Sequence, residues 1–348
     1  MNIAIRVDSS KKIGTGHIYR TISLAEKFKQ KKIKVIFICQ KLPGHIINLI
    51  RKKKFKTRII NNLFSRSEKK ILNNHFRTWS HKMQINDSKK TSTILNKKKY
   101  DWVLVDHYGL SETWEKEVSK YSKIAVIDDL LNKKHFCNLY INYHTYINYH
   151  TKILKKKINL FTNPRCKILD GLKYVVINKN YLKKKKYLGY KKNNIFIFMG
   201  GVDKKKMALK ITKKIKNYFS ITVLLGVNCN YFNEMLSISK KNKFITVIKK
   251  RFSSLKYFFE NYDLVISSAG LSMYEQIYCR TNSLIIPQNK YQKKICYNLS
   301  KSRYINYLDS VDKINLNFLT KLIKSKKRKK TMIDGMGADR IIDKLKSF

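Results

Sequence analysis

The feature that most constrains the fold is a regular alternation of short apolar segments with longer amphipathic segments. In the first half, predicted strands at 2–7, 34–39, 101–105 and 124–127 alternate with predicted helices, two of them at 17–30 and 45–53. This alternation is typical of a parallel sheet with helices on both faces. The first half therefore predicts an α/β domain.

A second series of the same kind follows, with predicted strands at 195–199, 221–225, 244–248, 264–267 and 283–286. The pattern weakens between about 136 and 194, where lysine runs occur, so we place a domain boundary near residue 185. We predict two Rossmann-like, doubly wound domains, 1–185 and 186–330, with a cleft between them. Residues 331–348 are predicted to form a C-terminal helix that packs back across the domains.

Composition limits the classes of partner. The 348 residues carry a formal net charge of +54, which suggests nucleic acid or an anionic membrane. However, only 12 of the 76 basic residues are Arg, the residue that direct base readout favours. The abundant Lys, Asn, Ile and Tyr have AT-rich codons, so genome composition accounts for much of the bias. We expect an anionic small-molecule substrate and no specific nucleic acid.

Three further expectations concern location, metal and assembly. No apolar run of about 18 residues occurs, so we expect no membrane span. The N-terminus lacks a signal-peptide core, which indicates a cytoplasmic protein. The six cysteines form no Cys-x-x-Cys pair, so we expect reduced thiols, no metal and no cofactor. We expect a monomer.

The first candidate site is the turn Gly14-Thr-Gly16-His17, directly after the first predicted strand. It is neither a dinucleotide fingerprint nor a P-loop, because the third glycine and the Gly-Lys-Ser/Thr sequence are missing. A histidine at the carboxyl end of an open α/β sheet is well placed to accept a proton near neutral pH. We predict that His17 is catalytic; the alternative is a histidine that caps the helix or bonds locally.

A second candidate group follows the strand at 101–105, where the cluster Asp106, His107 and Tyr108 suits sugar hydroxyls. The alternative is an aspartate that caps a helix beside a packed tyrosine. Asp8, after the first strand, is a candidate to orient His17 or to bind the sugar.

Two turns in the second half predict a nucleotide site. Gly200 and Gly201 follow a strand and are suited to bring backbone N–H groups against a phosphate, although an ordinary turn fits equally well. The small residues Ser268, Ala269, Gly270, Leu271 and Ser272 then open a predicted helix whose free N–H groups suit a diphosphate, and the alternative is a serine cap. One turn further on, Glu275 is placed to accept ribose hydroxyls, and Asn289 and Gln292 follow the next strand.

A tandem duplication, Ile-Asn-Tyr-His-Thr-Tyr followed by Ile-Asn-Tyr-His-Thr, occupies 141–151. A six-residue spacing does not place His144 and His150 on one helix face. We therefore interpret the duplication as a loop expansion rather than a two-histidine metal site.

Taken together, these motifs resemble those of a known family, the UDP-2,4-diacetamido-2,4,6-trideoxy-β-L-altropyranose hydrolases of pseudaminic acid synthesis. The resemblance runs in order along the whole chain. The matching segments are 6–10, 13–20, 105–108 with Trp114 and Glu115, 127–130, 199–203, 268–275, Asn289 with Gln292, and 334–338.

The resemblance implies a GT-B-like fold, similar to that of the lipid II N-acetylglucosaminyltransferase, with UDP on the second domain. It implies that His17 activates a water that attacks the anomeric carbon, releasing UDP with inversion, and that Glu275 holds the ribose. The N-terminal domain would bind the sugar, and Arg20, Asp8, Gly14, Gly16, Asp106 and Tyr108 are the predicted substrate-binding residues.

Two other functions stay open from the sequence. A glycosyltransferase on the same scaffold would use a sugar hydroxyl in place of water. A nucleic-acid-binding protein is suggested by charge alone.

Overall fold

The computed structural model describes residues 1–61, 78–143, 160–182, 193–227, 229–325 and 333–348. The chain divides into two compact units. Unit 1 comprises 1–176 together with 336–348, and unit 2 comprises 177–335.

Within its described residues, unit 1 has seven strands with helices between them. The strands are β1 (Asn2–Val7), β2 (Lys34–Gln40), β3 (Lys56–Ile60), β4 (Trp102–Asp106), β5 (Lys123–Ile127), β6 (Leu139–Asn142) and β7 (Lys167–Asp170). The helices are α1 (Gly16–Gln30), α2 (Ile47–Lys52), α3 (His81–Asn96) and α4 (Glu112–Ser119), with a 3-10 turn at Leu172–Tyr174.

The sheet of unit 1 is parallel throughout, in the order β3-β2-β1-β4-β5-β6-β7. β1 pairs with β2 on one side and with β4 on the other, so Val7 lies beside Asp106. The strand order therefore reverses between β1 and β4. Ligands of open α/β sheets bind outside the carboxyl ends of the strands at such a switch point.

Unit 2 begins with α5 (Lys179–Leu182), and the part of it that the structure describes contains six strands. These are β8 (Asn194–Phe198), β9 (Ser220–Leu225), β10 (Ile245–Lys249), β11 (Leu264–Ser267), β12 (Ser283–Ile285) and β13 (Asn306–Tyr307). Its further helices are α6 (Met207–Ile215), α7 (Phe232–Lys240), α8 (Lys256–Asn261), α9 (Leu271–Cys279), α10 (Lys290–Lys301) and α11 (Leu316–Lys324). The sheet is parallel, in the order β10-β9-β8-β11-β12-β13, so its switch point lies between β8 and β11.

The last helix, α12 (Gly337–Lys346), belongs to unit 1. The indole Nε1 of Trp102 donates to the carbonyl of Leu345 at 3.1 Å, and Lys27 forms an ion pair with Asp339 at 2.9 Å. A Cβ on Gly337 would overlap the backbone of Val175, so glycine is required for this close packing.

The predicted fold class, two Rossmann-like doubly wound α/β domains, is confirmed. The predicted boundary near residue 185 falls on residues outside those described, and so does most of the 141–151 duplication. Several elements were not predicted: β3, α3, β6 and β13. In the described ranges, no helix is both long and apolar enough to cross a lipid bilayer.

Candidate active site

The turn between β1 and α1 is held by its own short side chains. The hydroxyl of Ser10 accepts from the backbone N–H groups of Lys12 and Ile13, at 3.1 and 2.9 Å. Gly14 follows with a φ of +84°, a left-handed conformation that favours glycine. The chain then enters α1 at Gly16, which places His17 in the first helical turn.

His17 is paired with a carboxylate that is distant in sequence. Its Nδ1 lies 2.6 Å from Oδ1 of Asp106, the last residue of β4. Only 9% of the His17 side chain is exposed, and in the described part of the chain its Nε2 has no hydrogen-bond partner. The carboxylate favours the proton on Nδ1, so Nε2 is left as a proton acceptor. His17 therefore neither caps α1 nor bonds only locally.

Arg20 lies three residues after His17, on the same face of α1. Its Nε and Nη2 donate to the two carboxylate oxygens of Asp106, at 2.8 and 2.6 Å. Its Nη1 donates to Asp129 at 2.9 Å and also to the hydroxyl of Tyr143. The fork fixes Asp106 against His17, because a bidentate pair sets the orientation of both groups. Asp106 thus does not cap a helix.

Tyr108 covers the other side of the imidazole. Its ring meets that of His17 edge-on, with centroids 4.6 Å apart, and its hydroxyl donates to Asp129 at 3.1 Å. Asp129 therefore connects Tyr108 with Arg20. The structure brings together Gly14, His17, Arg20, Asp106 and Tyr108, all predicted from the sequence.

Asp106 is ionised despite its burial. Burial by itself would raise the pKa of Asp106, but the charges of Arg20 and His17 outweigh it and lower that pKa. The carboxylate therefore remains an anion at neutral pH and stabilises an imidazolium at His17.

Asp8 is placed in a second buried network beside this one. Its Oδ1 accepts from Nη1 of Arg6 and from the backbone N–H of Gln40, both at 2.7 Å. Its Oδ2 accepts from Arg6 at 2.9 Å and lies 3.2 Å from Nε2 of His107. Arg6 also forms an ion pair with Asp87 of α3 at 2.7 Å. Burial would raise the pKa of Asp8, but Arg6 holds it well below its usual range.

His107 is neutral in this network. Burial lowers its pKa against the effect of Asp8. Its Nδ1 accepts from the N–H of Gly109 at 3.0 Å, so the proton resides on Nε2 and points to Asp8. Since both oxygens of Asp8 are engaged and its side chain is fully buried, contact between Asp8 and a substrate stays a prediction.

The turn that carries Tyr108 is held by the buried ammonium group of Lys133. Lys133 Nζ donates to the carbonyls of His107, Tyr108 and Leu110, at 3.3, 2.8 and 2.6 Å. A Cβ on Gly109 would come within 2.5 Å of the Trp79 indole, so only glycine fits there. These contacts fix the position of the Tyr108 ring beside His17.

The turn that carries Asp129 has its own anchor. Nδ1 of the buried His135 lies 2.7 Å from Glu115, and its Nε2 lies 3.6 Å from Asp128. Burial would lower the pKa of His135, but Glu115 and Asp128 outweigh it and raise the pKa to about 9. Asp128 in turn accepts from the hydroxyl of Tyr140 and the N–H of Leu131, at 3.1 and 3.2 Å.

In unit 2, the turns at the switch point differ in how their helices are capped. Asp203 accepts from the N–H groups of Met207 and Ala208, at 3.0 and 2.8 Å, and from the hydroxyl of Tyr231 at 2.7 Å. The first two N–H groups of α6 therefore have a partner within the protein. Gly200 precedes the helix with a φ of +90°. Gly201 packs against Gly226, and a Cβ on Gly226 would overlap the carbonyl of Gly201.

The N-terminus of α9 lacks such a cap. Gly270 is the N-cap residue and provides no side-chain hydrogen bond. Among the described residues, the N–H groups of Leu271 and Ser272 and the hydroxyls of Ser268 and Ser272 have no partner. A Cβ on Gly270 would meet nothing within 4 Å, so the turn is open. A serine cap is thus wrong here, and the free N–H groups suit an anion.

Glu275 lies one turn inside α9. Its Oε2 accepts from the hydroxyl of Tyr181 at 2.8 Å. In the described part of the chain its Oε1 has no partner. Burial raises the pKa of Glu275 to about 7, against the lowering effect of the Tyr181 hydrogen bond.

Asn289 and Gln292 form the N-cap of α10. Oδ1 of Asn289 accepts from the N–H of Gln292 at 2.9 Å, and Oε1 of Gln292 accepts from the N–H of Gln288 at 2.8 Å. This reciprocal arrangement resembles a capping box. The two side-chain amide groups face no partner among the described residues, and their contact with a nucleotide stays a prediction.

Around His17, the sequence indicated no roles for Lys133, Tyr143 and Asp87. Asp129, by contrast, stands at the end of a predicted strand and lies in the 127–130 segment that the sequence singled out. Asp87 lies in a helix whose buried face is polar, so no apolar period pointed to it. Across the described ranges, no cluster of three or more His, Cys, Asp or Glu side chains has the arrangement of a metal site.

No protein-family model matches the chain. Two known proteins are similar in sequence. An uncharacterized protein of Methanocaldococcus jannaschii is 25% identical over 91% of this chain and 60% of its own length, so the chain spans about 60% of that relative. The UDP-2,4-diacetamido-2,4,6-trideoxy-β-L-altropyranose hydrolase of Campylobacter jejuni is 25% identical over 87% of this chain and 98% of its own.

Solved structures show the same fold. MurG of Acinetobacter baumannii is similar with a TM-score of 0.60 at 11% identity, covering 100% of this chain and 99% of that chain. The UDP-GlcNAc 2-epimerase of Methanocaldococcus jannaschii, solved with UDP-GlcNAc and UDP, has a TM-score of 0.60 at 13% identity and covers 100% of both chains. The fold is therefore the two-domain, Rossmann-like α/β fold of the GT-B type.

Proposed function

We propose that the protein is a UDP-sugar hydrolase that releases UDP from a UDP-2,4-diacetamido-2,4,6-trideoxyhexose by attack of water on the anomeric carbon. The observation that carries this proposal is the pairing of His17 with Asp106 at 2.6 Å, which leaves Nε2 of His17 unpartnered in the described part of the chain. The Campylobacter jejuni relative is named for this reaction. The reaction would serve pseudaminic acid-type sugar synthesis.

In this mechanism, Nε2 of His17 accepts a proton from water as the water oxygen bonds to the anomeric carbon. The bond from that carbon to the diphosphate oxygen breaks on the opposite face, so the configuration inverts and UDP leaves. A positioned general base typically contributes about 10²–10⁴-fold to the rate. UDP is a good leaving group, so a separate general acid is not required.

Asp106 and Arg20 act through His17. The carboxylate of Asp106 holds Nδ1 and stabilises the imidazolium that forms, as the carboxylate does in a hydrolase triad. Arg20 occupies both oxygens of Asp106. We therefore assign these two residues to positioning, while the backbone at Gly14 and Gly16 and the side chain of Tyr108 contribute to the sugar-binding surface.

Unit 2 supplies the nucleotide site in this proposal. The free N–H groups of Leu271 and Ser272 and the hydroxyl of Ser268 bind the diphosphate, where developing negative charge is stabilised by donors fixed in advance. Ala269, Gly270, Gly200 and Gly201 let the nucleotide approach the backbone. Glu275 accepts the ribose hydroxyls, and Asn289 and Gln292 offer amide donors.

A glycosyltransferase is the second candidate, because His17 would deprotonate a sugar hydroxyl as readily as water. Incubation of the purified protein with a panel of UDP-deoxyamino sugars, with and without acceptor sugars, separates the two. The hydrolase predicts equal amounts of UDP and free sugar in acceptor-free buffer. UDP release only in the presence of an acceptor, with a disaccharide as product, would instead identify a transferase.

A further inference from the structure

The proposed function gives no role to the hydroxyl of Tyr181 in unit 2. This residue lies in α5, far in sequence from α9, and only 3% of it is exposed. Its ring stacks on Phe259 of α8, with centroids 6.0 Å apart. Packing therefore fixes the position of the side chain independently of the hydrogen bonds of its hydroxyl.

The direction of the hydroxyl proton follows from the partners of the Tyr181 oxygen, which are the backbone N–H of Leu255, the side chain of Ser254 and the carboxylate of Glu275. The backbone N–H of Leu255 donates to the Tyr181 oxygen at 2.9 Å. That bond uses a lone pair of the oxygen, so the single O–H proton is directed to Oε2 of Glu275 at 2.8 Å. Glu275 therefore has one oxygen fixed by the protein and the other, Oε1, without a partner among the described residues.

A nearby charged side chain does not replace the Tyr181 hydrogen bond at Glu275. The Nζ of Lys256, for example, donates to the carbonyl of Tyr181 at 3.0 Å. The same Nζ lies 3.8 Å from the carboxylate of Glu260. Tyr181 is the hydrogen-bond donor that the structure gives to the Glu275 carboxylate within the described residues.

We propose that Tyr181 is a positioning residue that aims the Glu275 carboxylate at the ribose of the bound nucleotide. The proposal rests on the nucleotide site proposed above. Burial raises the pKa of Glu275 to about 7, and the Tyr181 hydrogen bond counteracts this. A carboxylate accepts from both ribose hydroxyls, whereas a carboxylic acid loses one acceptor site to its own proton.

The test is the variant Tyr181→Phe, which removes one oxygen and keeps the stacked ring. We expect it to weaken UDP binding by roughly tenfold in calorimetry, as for a lost hydrogen bond to a charged group. Binding of the 2′,3′-dideoxy analogue of UDP should be the same in wild type and variant. The matched control is Tyr262→Phe in the same unit, which removes a hydroxyl bonded to Thr222 at 2.9 Å and should leave both affinities unchanged.

A second measurement needs no ligand. Infrared titration of the protonated carboxyl band, assigned with Glu275→Gln, reports the pKa of Glu275 in the ligand-free protein. The pKa should rise in Tyr181→Phe and stay constant in Tyr262→Phe. An equal loss of affinity for UDP and for the dideoxy analogue, or an unchanged pKa of Glu275, would overturn the proposal. If the wild type binds no UDP while the pKa of Glu275 still rises in Tyr181→Phe, the proposed nucleotide site is wrong and the coupling of the two side chains remains.

Discussion

At the residue scale, the buried carboxylate of Asp106 decides which ring nitrogen of His17 carries the proton. His17 faces Asp106 on one ring nitrogen, and Arg20 donates to both oxygens of that carboxylate. The three groups form one unit in which Arg20 keeps Asp106 ionised and Asp106 keeps the Nδ1 proton in place. The spacing of His17 and Arg20 is visible in the sequence, but their common partner becomes visible only when β4 lies beside β1.

The isosteric variant Asp106→Asn tests this unit. The amide keeps the shape but removes the charge that stabilises the imidazolium, so we expect kcat to fall roughly 10²–10⁴-fold with a small change in KM. Steady-state kinetics of UDP release measures both, and thermal unfolding checks that the variant folds. An unchanged kcat in a folded variant would remove Asp106 from the mechanism.

At the element scale, the strands with dense Val, Ile and Leu were predicted because their apolar runs are unambiguous. The helix α3 was not, since its buried face consists of Gln84, Asp87, Ser88, Thr91 and Ser92 together with few apolar residues. Those polar groups face buried partners such as Arg6 and Trp114, so burial does not produce an apolar period. The short strands β3 and β13 carry too few apolar residues to stand out.

The turn after β4 gives a prediction about stability. Lys133→Met keeps the length of the stem but leaves three buried carbonyls without their ammonium donor. We expect the free energy of unfolding to fall by about 3 kcal/mol or more. Denaturant unfolding measures it, and the neighbouring, exposed Lys134→Met is the control. Equal stability of the two variants would show that the ammonium does not hold the turn.

The anchor at His135 predicts a pH dependence of stability. Because the folded pKa of His135 is raised to about 9, above its unfolded value of about 6.5, its contribution is complete below pH 6.5 and is lost as the pH rises through 9. Between these limits, the wild type should lose stability relative to His135→Gln, by an amount on the order of 1–3 kcal/mol. Parallel stability curves of the two proteins from pH 6 to 9 would contradict the raised pKa.

At the scale of the whole molecule, the alternation of strands and helices was enough to predict two Rossmann-like units, because parallel sheets leave few other arrangements. The candidate residues were found because each follows a strand, and the two switch points bring such ends together. The capping roles of Asp203, Asn289 and Gln292 were not visible, since a cap and a ligand contact need the same residue types at a helix start.

The net charge of +54 leads to a prediction for the whole molecule. Nucleic acid should bind at low salt without sequence preference, and the affinity should fall steeply with ionic strength, as expected when counterion release drives binding. Gel shifts at rising salt measure this. A complex that survives physiological salt and prefers one sequence would assign a nucleic-acid function to the protein instead.

The most direct test of the central claim compares wild type with His17→Ala on a UDP-2,4-diacetamido-2,4,6-trideoxyhexose in acceptor-free buffer, with UDP affinity measured in parallel. We expect the wild type to form UDP and free sugar in equal amounts, and His17→Ala to be at least about 10²-fold slower while it binds UDP equally well. Release of UDP at the same rate by both proteins would contradict the central claim.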